Sequence, residues 1–305
     1  MKLLLIVNSS ASSVTARARV VIRKALSADH DVTVAETNRR GHATRLAQGA
    51  AAEGVDVVVV LGGDGTLNEA ANGLAGSETA LAALPGGSTN VFARTIGLPN
   101  DPIEATGVLL DALQRGAVER VGLGSVNGRY FLFHVGMGYD AEVVAQVERR
   151  SSLKRYAGHP LFVWAAISTW FRHYDHSRPR FAVHLDGPNV VDDAYFAVAA
   201  NTNPYTFLGN RPLDIAPDAT LERGLALVTI RSLSLPAILR TALAALRGHR
   251  QLHRLRSTDY RTDLSSFVVE GYGPFPYQVD GDHLGDTLRL EFRHEPGILK
   301  LVGRT

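Results

Sequence analysis

Residues 57–73 read Val-Val-Val-Val-Leu-Gly-Gly-Asp-Gly-Thr-Leu-Asn-Glu-Ala-Ala-Asn-Gly, an apolar strand that enters a glycine-rich turn and leaves as a helix. An uninterrupted run of β-branched residues suits a strand covered on both faces of a sheet. Gly62, Gly63 and Gly65 remove Cβ atoms where a backbone must approach an anion, and Thr66 starts a helix whose first N–H groups favour negative charge. Such a turn can hold a triphosphate. A carboxylate inside that cradle repels the ligand unless a cation stands between them, so Asp64 points to Mg²⁺ bridging to a nucleotide. The plainer alternative is a strand-to-helix turn with a capping aspartate. No Gly-x-x-x-x-Gly-Lys-Ser/Thr sequence occurs anywhere, so any nucleotide is held by a turn other than the P-loop.

The first 120 residues alternate β-rich runs with helical patterns: 3–7 then 15–27, 32–35 then 43–52, 57–61 then 67–75, and 80–84 then 91–96. That alternation predicts a parallel, doubly wound α/β sheet. Ligands of such sheets bind beyond the carboxyl ends of the strands, where Asn8, residues 62–66 and residues 85–90 all fall. From about Val121 the β-like runs lengthen, at 129–135, 180–185, 194–200, 225–231, 266–270, 276–280 and 286–292. They predict a second, mainly antiparallel domain interrupted by helices near 159–172 and 235–247. The expected division is residues 1–120, residues 121–292 and a terminal segment 293–305.

At 305 residues the chain is long enough for two domains with separate cores. It has no cysteine, which excludes disulfides, thiolate nucleophiles and cysteine metal sites. The opening Met-Lys-Leu-Leu-Leu-Ile-Val-Asn is read as a buried first strand, because its apolar run is short for a signal peptide. No run approaches the roughly 20 apolar residues that cross a bilayer, so membrane contact is expected to be peripheral and the location cytoplasmic. A net charge of +2 gives no reason to expect nucleic acid. Charge is uneven, however: residues 231–263 hold seven arginines against two aspartates.

The Gly62-Gly63-Asp64-Gly65-Thr66-Leu67-Asn68-Glu69 string, continued by Asn72 and Gly73, resembles the signature of the diacylglycerol kinase catalytic-domain family, which includes bacterial lipid kinases and sphingosine kinases. NAD kinases share only the shorter Gly-Gly-Asp-Gly-Thr part. A second glycine turn, Pro85-Gly86-Gly87-Ser88-Thr89-Asn90-Val91-Phe92-Ala93-Arg94, is similar to the family's Pro-x-Gly-Thr-x-Asn-Asp-Phe-Ala-Arg motif, with Val91 at a position where many members carry Asp. Three further departures stand out. Asn8-Ser9-Ser10-Ala11-Ser12 replaces a usual Asn-Pro-x-Ser-Gly, Gly122 replaces an Asp, and Arg223-Gly224 stands where bacterial relatives often read Asp-Gly; Arg223 cannot ligate a cation, so no structural metal site is expected. The resemblance implies an NAD-kinase-like α/β domain followed by a β-sandwich, with the last residues returning to the first domain. It also implies nucleotide contacts from Asn8, Ser9, Gly62, Gly63, Gly65, Thr66, Asn68, Glu69, Gly87, Ser88 and Asn90.

Gly136-Met137-Gly138-Tyr139-Asp140-Ala141 resembles the family's Gly-x-Gly-x-Asp-Ala element. Both glycines are read as architectural, and Asp140 as the cap of a helix that begins at Ala141. In Gln278-Val279-Asp280-Gly281-Asp282 the Asp-Gly pair signals a hairpin. The family places an Asp-Gly-Glu motif here, whose last acid is the probable general base. Asp282 takes that place one methylene shorter. The implied reaction passes the γ-phosphoryl group of ATP to a lipid hydroxyl across an interdomain cleft, with Asp64 acting through Mg²⁺ and Asp282 taking the hydroxyl proton. Diacylglycerol is one acceptor among several lipids that fit.

Residues 161–171, with two tryptophans, are read first as a core helix and second as lipid-facing; 235–256, with Arg250, Arg254 and Arg256, is the better candidate for an anionic membrane surface, its plainer alternative being a solvated face. Two rivals remain: an NAD-kinase-like enzyme with a soluble acceptor, and a non-catalytic nucleotide- or lipid-binding regulator. A homodimer stays open.

Overall fold

A computed structural model of the chain describes residues 1–148, 177–185, 189–247 and 255–303. The expected helix near 159–172, Arg250 and Arg254 lie outside the described residues. The chain divides into two units, Met1–Leu123 with Pro296–Thr305, and Gly124–Glu295.

The first unit is the parallel sheet that the alternation predicts. Strands β1 (Lys2–Val7), β2 (Asp31–Glu36), β3 (Val57–Gly62) and β4 (Ala80–Pro85) pair in the order β4-β3-β1-β2, every neighbour parallel. Strands β3 and β4 are buried along their whole length, whereas the edge strand β2 is not. Helix α1 (Ala16–Leu26) begins where Thr15 Oγ1 accepts the Ala18 N–H at 3.1 Å. Helices α2 (His42–Ala52) and α3 (Asp64–Leu74) cross closely, because a Cβ on Gly73 would stand 2.5 Å from the Thr44 carbonyl oxygen. A short α4 (Val91–Thr95) follows β4. Helix α5 (Pro102–Arg115) has Asp101 capping two N–H groups, Pro102 at its first position and Gly116 at φ 65 at its end.

Strand β5 (Val118–Val126) leads out of the first unit and pairs with β6 (Arg129–Phe131). The second unit is antiparallel, as the longer β runs predict, and belongs to the β-sandwich class. Strands β7 (His134–Gly138), β10 (Phe196–Ala200), β13 (Leu225–Ile230) and β14 (Thr258–Leu264) form one run of neighbours. On the other side β7 pairs with β15 (Ser266–Val279), which also pairs with β8 (Phe181–His184) and with β16 (Asp282–Val302). Strand β9 (Val190–Ala194) pairs with β8, while β11 (Thr206–Leu208) and β12 (Arg211–Leu213) form a separate hairpin. Helix α6 (Tyr139–Glu148) follows β7, and α7 (Leu235–Arg247) follows β13.

Alternation along β13 sends Leu225 and Leu227 to one core and Ala226, Val228 and Ile230 to another, which explains why Leu-Ala-Leu-Val-Thr-Ile shows no polar face. The first of these cores is aromatic. Phe267 stacks on Phe292 with centroids 4.4 Å apart, and Phe131 meets Phe292 edge-on at 6.4 Å.

Strands β5, β11, β12 and β14 correspond to no β run of the sequence reading, and in three further places the expected runs differ in extent. Runs 266–270 and 276–280 are one strand, β15, whose register shifts between Glu270 and Phe275 and again before Gln278. Gly271, Gly273 and Pro274 interrupt the alternation there without ending the strand. The run at 129–135 splits into β6 and β7 around Leu132 and Phe133. Strand β16 continues beyond 286–292 to Val302, and its last residues pair in parallel with β4, Lys300 opposite Ala80 and Leu301 opposite Leu81.

Candidate active site

Three loops gather at the carboxyl ends of β1, β3 and β4. The Asn8 N–H donates to the Leu61 carbonyl at 3.0 Å, and the Gly86 N–H donates to the Gly62 carbonyl at 2.8 Å. Side chains complete the junction. Asn8 Nδ2 donates to Thr66 Oγ1 at 2.9 Å and Asn8 Oδ1 accepts the Ser10 N–H at 3.1 Å. Ser13, a residue that sequence reasoning missed, donates from its N–H to the Gly86 carbonyl at 2.9 Å and from Oγ to the Gly87 carbonyl at 3.0 Å.

The glycines are required here for a different reason from the one expected. A Cβ on Gly87 would stand 2.9 Å from Gly63 Cα, and one on Gly86 would stand 2.9 Å from Gly62 Cα. A Cβ on Gly62 would crowd Thr66 at 3.0 Å, whereas one on Gly63 would meet Gly87 Cα at an ordinary 3.5 Å. The two turns lie backbone against backbone, so at Gly62, Gly86 and Gly87 the missing side chains make room for protein before any anion.

Asp64 joins the turns. Its Oδ2 accepts the Val91 N–H at 2.9 Å and its Oδ1 the Phe92 N–H at 3.1 Å, which caps α4 from a residue 27 positions earlier. Asn90 shapes the second turn from within: it sits at φ 51, its Oδ1 accepts the Gly87 N–H at 2.7 Å, and its Nδ2 donates to Gly87 and Asn100. Gly62, Gly63, Asp64, Pro85 and Asn90 line a small concavity above Val60 and Leu84. Ser9 and Ser88 are exposed, while Gly65 and Thr66 are half-buried in the first turn of α3.

Two expected nucleotide ligands serve the frame. Glu69 accepts the Gly41 N–H at 2.7 Å and the Ala43 N–H at 3.1 Å, which spends its carboxylate on the start of α2. Asn68 is 1 % exposed, with its oxygens turned to Asn72.

In the second unit the expected hairpin exists. Strand β15 ends at Val279, β16 begins at Asp282, and the two residues between them sit at positive φ, Asp280 at 49 and Gly281 at 83. Asp280 is 5 % exposed, and its carboxylate accepts three backbone N–H groups, from Leu132 at 2.7 Å and from Phe133 and His134 at 3.0 Å. Asp282 is half-buried, with Arg129 Nη2 3.7 Å from its Oδ2. Of the two carboxylates, the first holds structure and the second is accessible.

Asp140 corrects an expectation. Helix α6 begins at Tyr139, so Asp140 lies inside its first turn, and the carboxylate of this half-buried residue accepts the Tyr205 hydroxyl and Gln278 Nε2. Burial pushes its pKa above the usual carboxylate range against the opposing pull of those two hydrogen bonds. Burial and the adjacent carboxylate push the Tyr205 hydroxyl well above its usual value, so it remains a donor. The His134 ring lies 4.2 Å from that of Tyr205, and burial lowers its pKa to about 3. Gly136, spaced four residues before Asp140, was the one sequence signal for this cluster. Nothing in the sequence marked Tyr205 or Gln278.

Comparison with known proteins agrees with both units. Residues 2–126 match the diacylglycerol kinase catalytic domain, and residues 134–303 match the YegS C-terminal NAD kinase beta sandwich-like domain. The chain belongs to the diacylglycerol kinase catalytic-domain family of lipid kinases. It is 30% identical over 301 residues to a "Probable lipid kinase YegS-like" of Pseudomonas aeruginosa strain UCBPP-PA14, covering 98% of this chain and 93% of that one. It is 29% identical over 232 residues to the diacylglycerol kinase of Bacillus subtilis strain 168, covering 75% of this chain and 72% of that one. Among solved structures, a "putative diacylglycerol kinase" of Bacillus anthracis strain Sterne superposes with a TM-score of 0.79 at 25% identity, over 99% of this chain and 95% of that one.

Proposed function

We propose that this lipid-kinase family member transfers the γ-phosphoryl group of ATP to a hydroxyl of diacylglycerol or a related lipid. The observation that carries the reading is the pair of glycine turns joined by Asp64 at the ends of β3 and β4. Half-buried Gly63 and Gly65 lie at the start of α3, where a helix has more N–H groups than its own carbonyls accept, beside exposed Ser9 and Ser88. In this reading Asn8, Asn90, Gly62 and Gly87 keep that surface in shape.

Mg²⁺ fits the donor chemistry of Asp64. Asp64 is a half-buried carboxylate at the meeting of the two turns, where its oxygens accept the Val91 and Phe92 N–H groups, and carboxylate oxygen is the donor type that a nucleotide-borne Mg²⁺ takes. Among the described residues no three His, Asp or Glu side chains gather as a metal cage, and the reading asks for none. When bound, the cation neutralises charge on the phosphates. Asp282 accepts the proton of the acceptor hydroxyl while the new oxygen–phosphorus bond forms and ADP leaves. Positioning and neutralisation supply most of the rate.

The acceptor is read as lipid at an anionic surface of the cytoplasmic face. Support comes from α7, where Leu239 and Leu243, one turn apart, are 61% and 46% exposed beside Arg240, and from Arg256 further along the chain. No described helix is long and apolar enough to cross a membrane.

The test is transfer from γ-labelled ATP to diacylglycerol in vesicles containing anionic lipid. Asp282→Asn is expected to lower kcat by about 10²–10⁴-fold with ATP affinity unchanged. Full kcat in that variant removes Asp282 from the chemistry. A parent protein that binds ATP yet labels no lipid is a regulator, a reading that Val91, Gly122 and Arg223 would then explain.

A further inference from the structure

Gln278 and Gly136 lie directly opposite each other in the β7–β15 ladder. The Cβ that Gly136 lacks would stand 1.6 Å from Asp140 Oδ2 and 2.6 Å from Gln278 Nε2. The Asp140 carboxylate and the Gln278 amide therefore meet in the volume of an absent side chain. Gln278 is wholly buried, and both ends of its amide are engaged. Its Nε2 donates to Asp140 Oδ2 at 2.9 Å, and its Oε1 accepts the Gly281 N–H at 2.8 Å. Gly281 is the second residue of the two-residue turn that delivers Asp282.

An amide has one donor end and one acceptor end, and a half-turn about its last bond exchanges them. A carboxylate only accepts. With Tyr205 donating to the other oxygen, Asp140 permits one orientation of Gln278, the one that aims Oε1 at Gly281. The opposite orientation would set an N–H of the buried Gln278 amide against the Gly281 N–H and leave both donors without this partner.

We propose that Asp140 and Gln278 are positioning residues for the acceptor end of the site: Asp140 fixes the amide of Gln278, which through the Gly281 N–H fixes the turn that aims Asp282. This rests on the reading of Asp282 as the base. Neither residue touches reacting atoms.

The arrangement can be tested by reversing it. Asp140→Asn presents a donor where only acceptors stood, so Gln278 loses its enforced orientation. Gln278→Glu sets two carboxylates face to face. In the double variant the introduced asparagine donates to the introduced glutamate, which still accepts from Gly281, and the asparagine oxygen still accepts from Tyr205. The charge of the cluster is unchanged.

Amide hydrogen exchange at Gly281 and kcat for lipid transfer are to be measured on the full chain in the parent, both single variants and the double. Each single is expected to lose about tenfold in Gly281 protection, the size of one lost hydrogen bond, and at least about tenfold in kcat, with KM for ATP within about twofold. The double is expected to recover both. A double that exchanges at Gly281 as fast as the singles overturns the amide ordering, whatever the activity. Recovered exchange without recovered kcat overturns the positioning role, as would singles that keep full kcat. A parent that transfers no phosphate removes the catalytic half of the proposal together with the reading of Asp282, while exchange still decides the amide ordering. Should a single variant not fold, the double decides alone: folded with a protected Gly281 supports the proposal, and unfolded overturns it.

Discussion

At the ends of β3 and β4 two glycine turns press backbone against backbone, with one carboxylate, Asp64, tying them together. At the β15–β16 turn the opposite construction holds: buried Asp280 and Gln278 grip backbone N–H groups, and half-buried Asp140 accepts from Gln278. The first place is therefore limited by volume and the second by the order of donors and acceptors. A site that must face phosphate oxygens is served by bare backbone, which brings many N–H groups close. A site that must aim one carboxylate is served by a rigid turn, which buried hydrogen bonds supply.

The comparison breaks most easily at Asp280. Replacing it with alanine leaves three buried N–H groups without that acceptor, and the expected loss exceeds about 3 kcal/mol by urea unfolding, since each such group costs about 1–3 kcal/mol. A loss under about 1 kcal/mol would show that water or a rearranged turn replaces the carboxylate. Asp280→Asn, which keeps one acceptor, should fall between.

At the glycine turns size decides. Gly87→Ala is expected to cost about 2 kcal/mol, because its Cβ would meet Gly63 backbone at 2.9 Å with no flexible side chain to yield. Gly63→Ala, whose Cβ finds ordinary contact at 3.5 Å, should stay within about 0.5 kcal/mol. Equal effects at the two positions would contradict the packing of the turns.

The mildest test uses pH. Burial lowers the His134 pKa to about 3 from 6.5, so below pH 6.5 the unfolded chain binds a proton that the folded chain refuses. Stability contributed by neutral His134 is complete above pH 6.5 and declines as pH falls toward 3. Between pH 7.5 and pH 5 the expected loss is on the order of 2 kcal/mol. His134→Phe should remove that part of the slope when unfolding is followed at amides of β7. An unchanged slope would mean that His134 titrates normally.

Much of the fold was legible because its signals are local. The all-apolar β3, the strand–helix alternation and the Asp280-Gly281 turn each lie within a few residues of sequence. Boundaries failed where one strand tolerates glycine and proline at a bulge, as β15 does between Glu270 and Phe275. Within the candidate site, the residues were largely visible but their employment was not. Glu69 looked like a ligand from its place in the glycine motif, yet α2 passes close enough for Gly41 and Ala43 to claim its carboxylate. Asp140 looked like a cap for the same kind of reason, and packing against Gly136 made it an acceptor for Tyr205 and Gln278 instead.

The sequence by itself determined the alternation of the first unit, the antiparallel character of the second and the position of the glycine and Asp-Gly turns, because hydrophobic period and backbone freedom are properties of neighbouring residues. Only the tertiary structure decided what each acid does. Asp64 meets its partners 27 and 28 residues away, Gln278 meets Asp140 across 138 residues, and Asp280 meets Leu132 across 148. A carboxylate accepts from whichever donor the packed chain brings within about 3 Å, and that choice is made by folding.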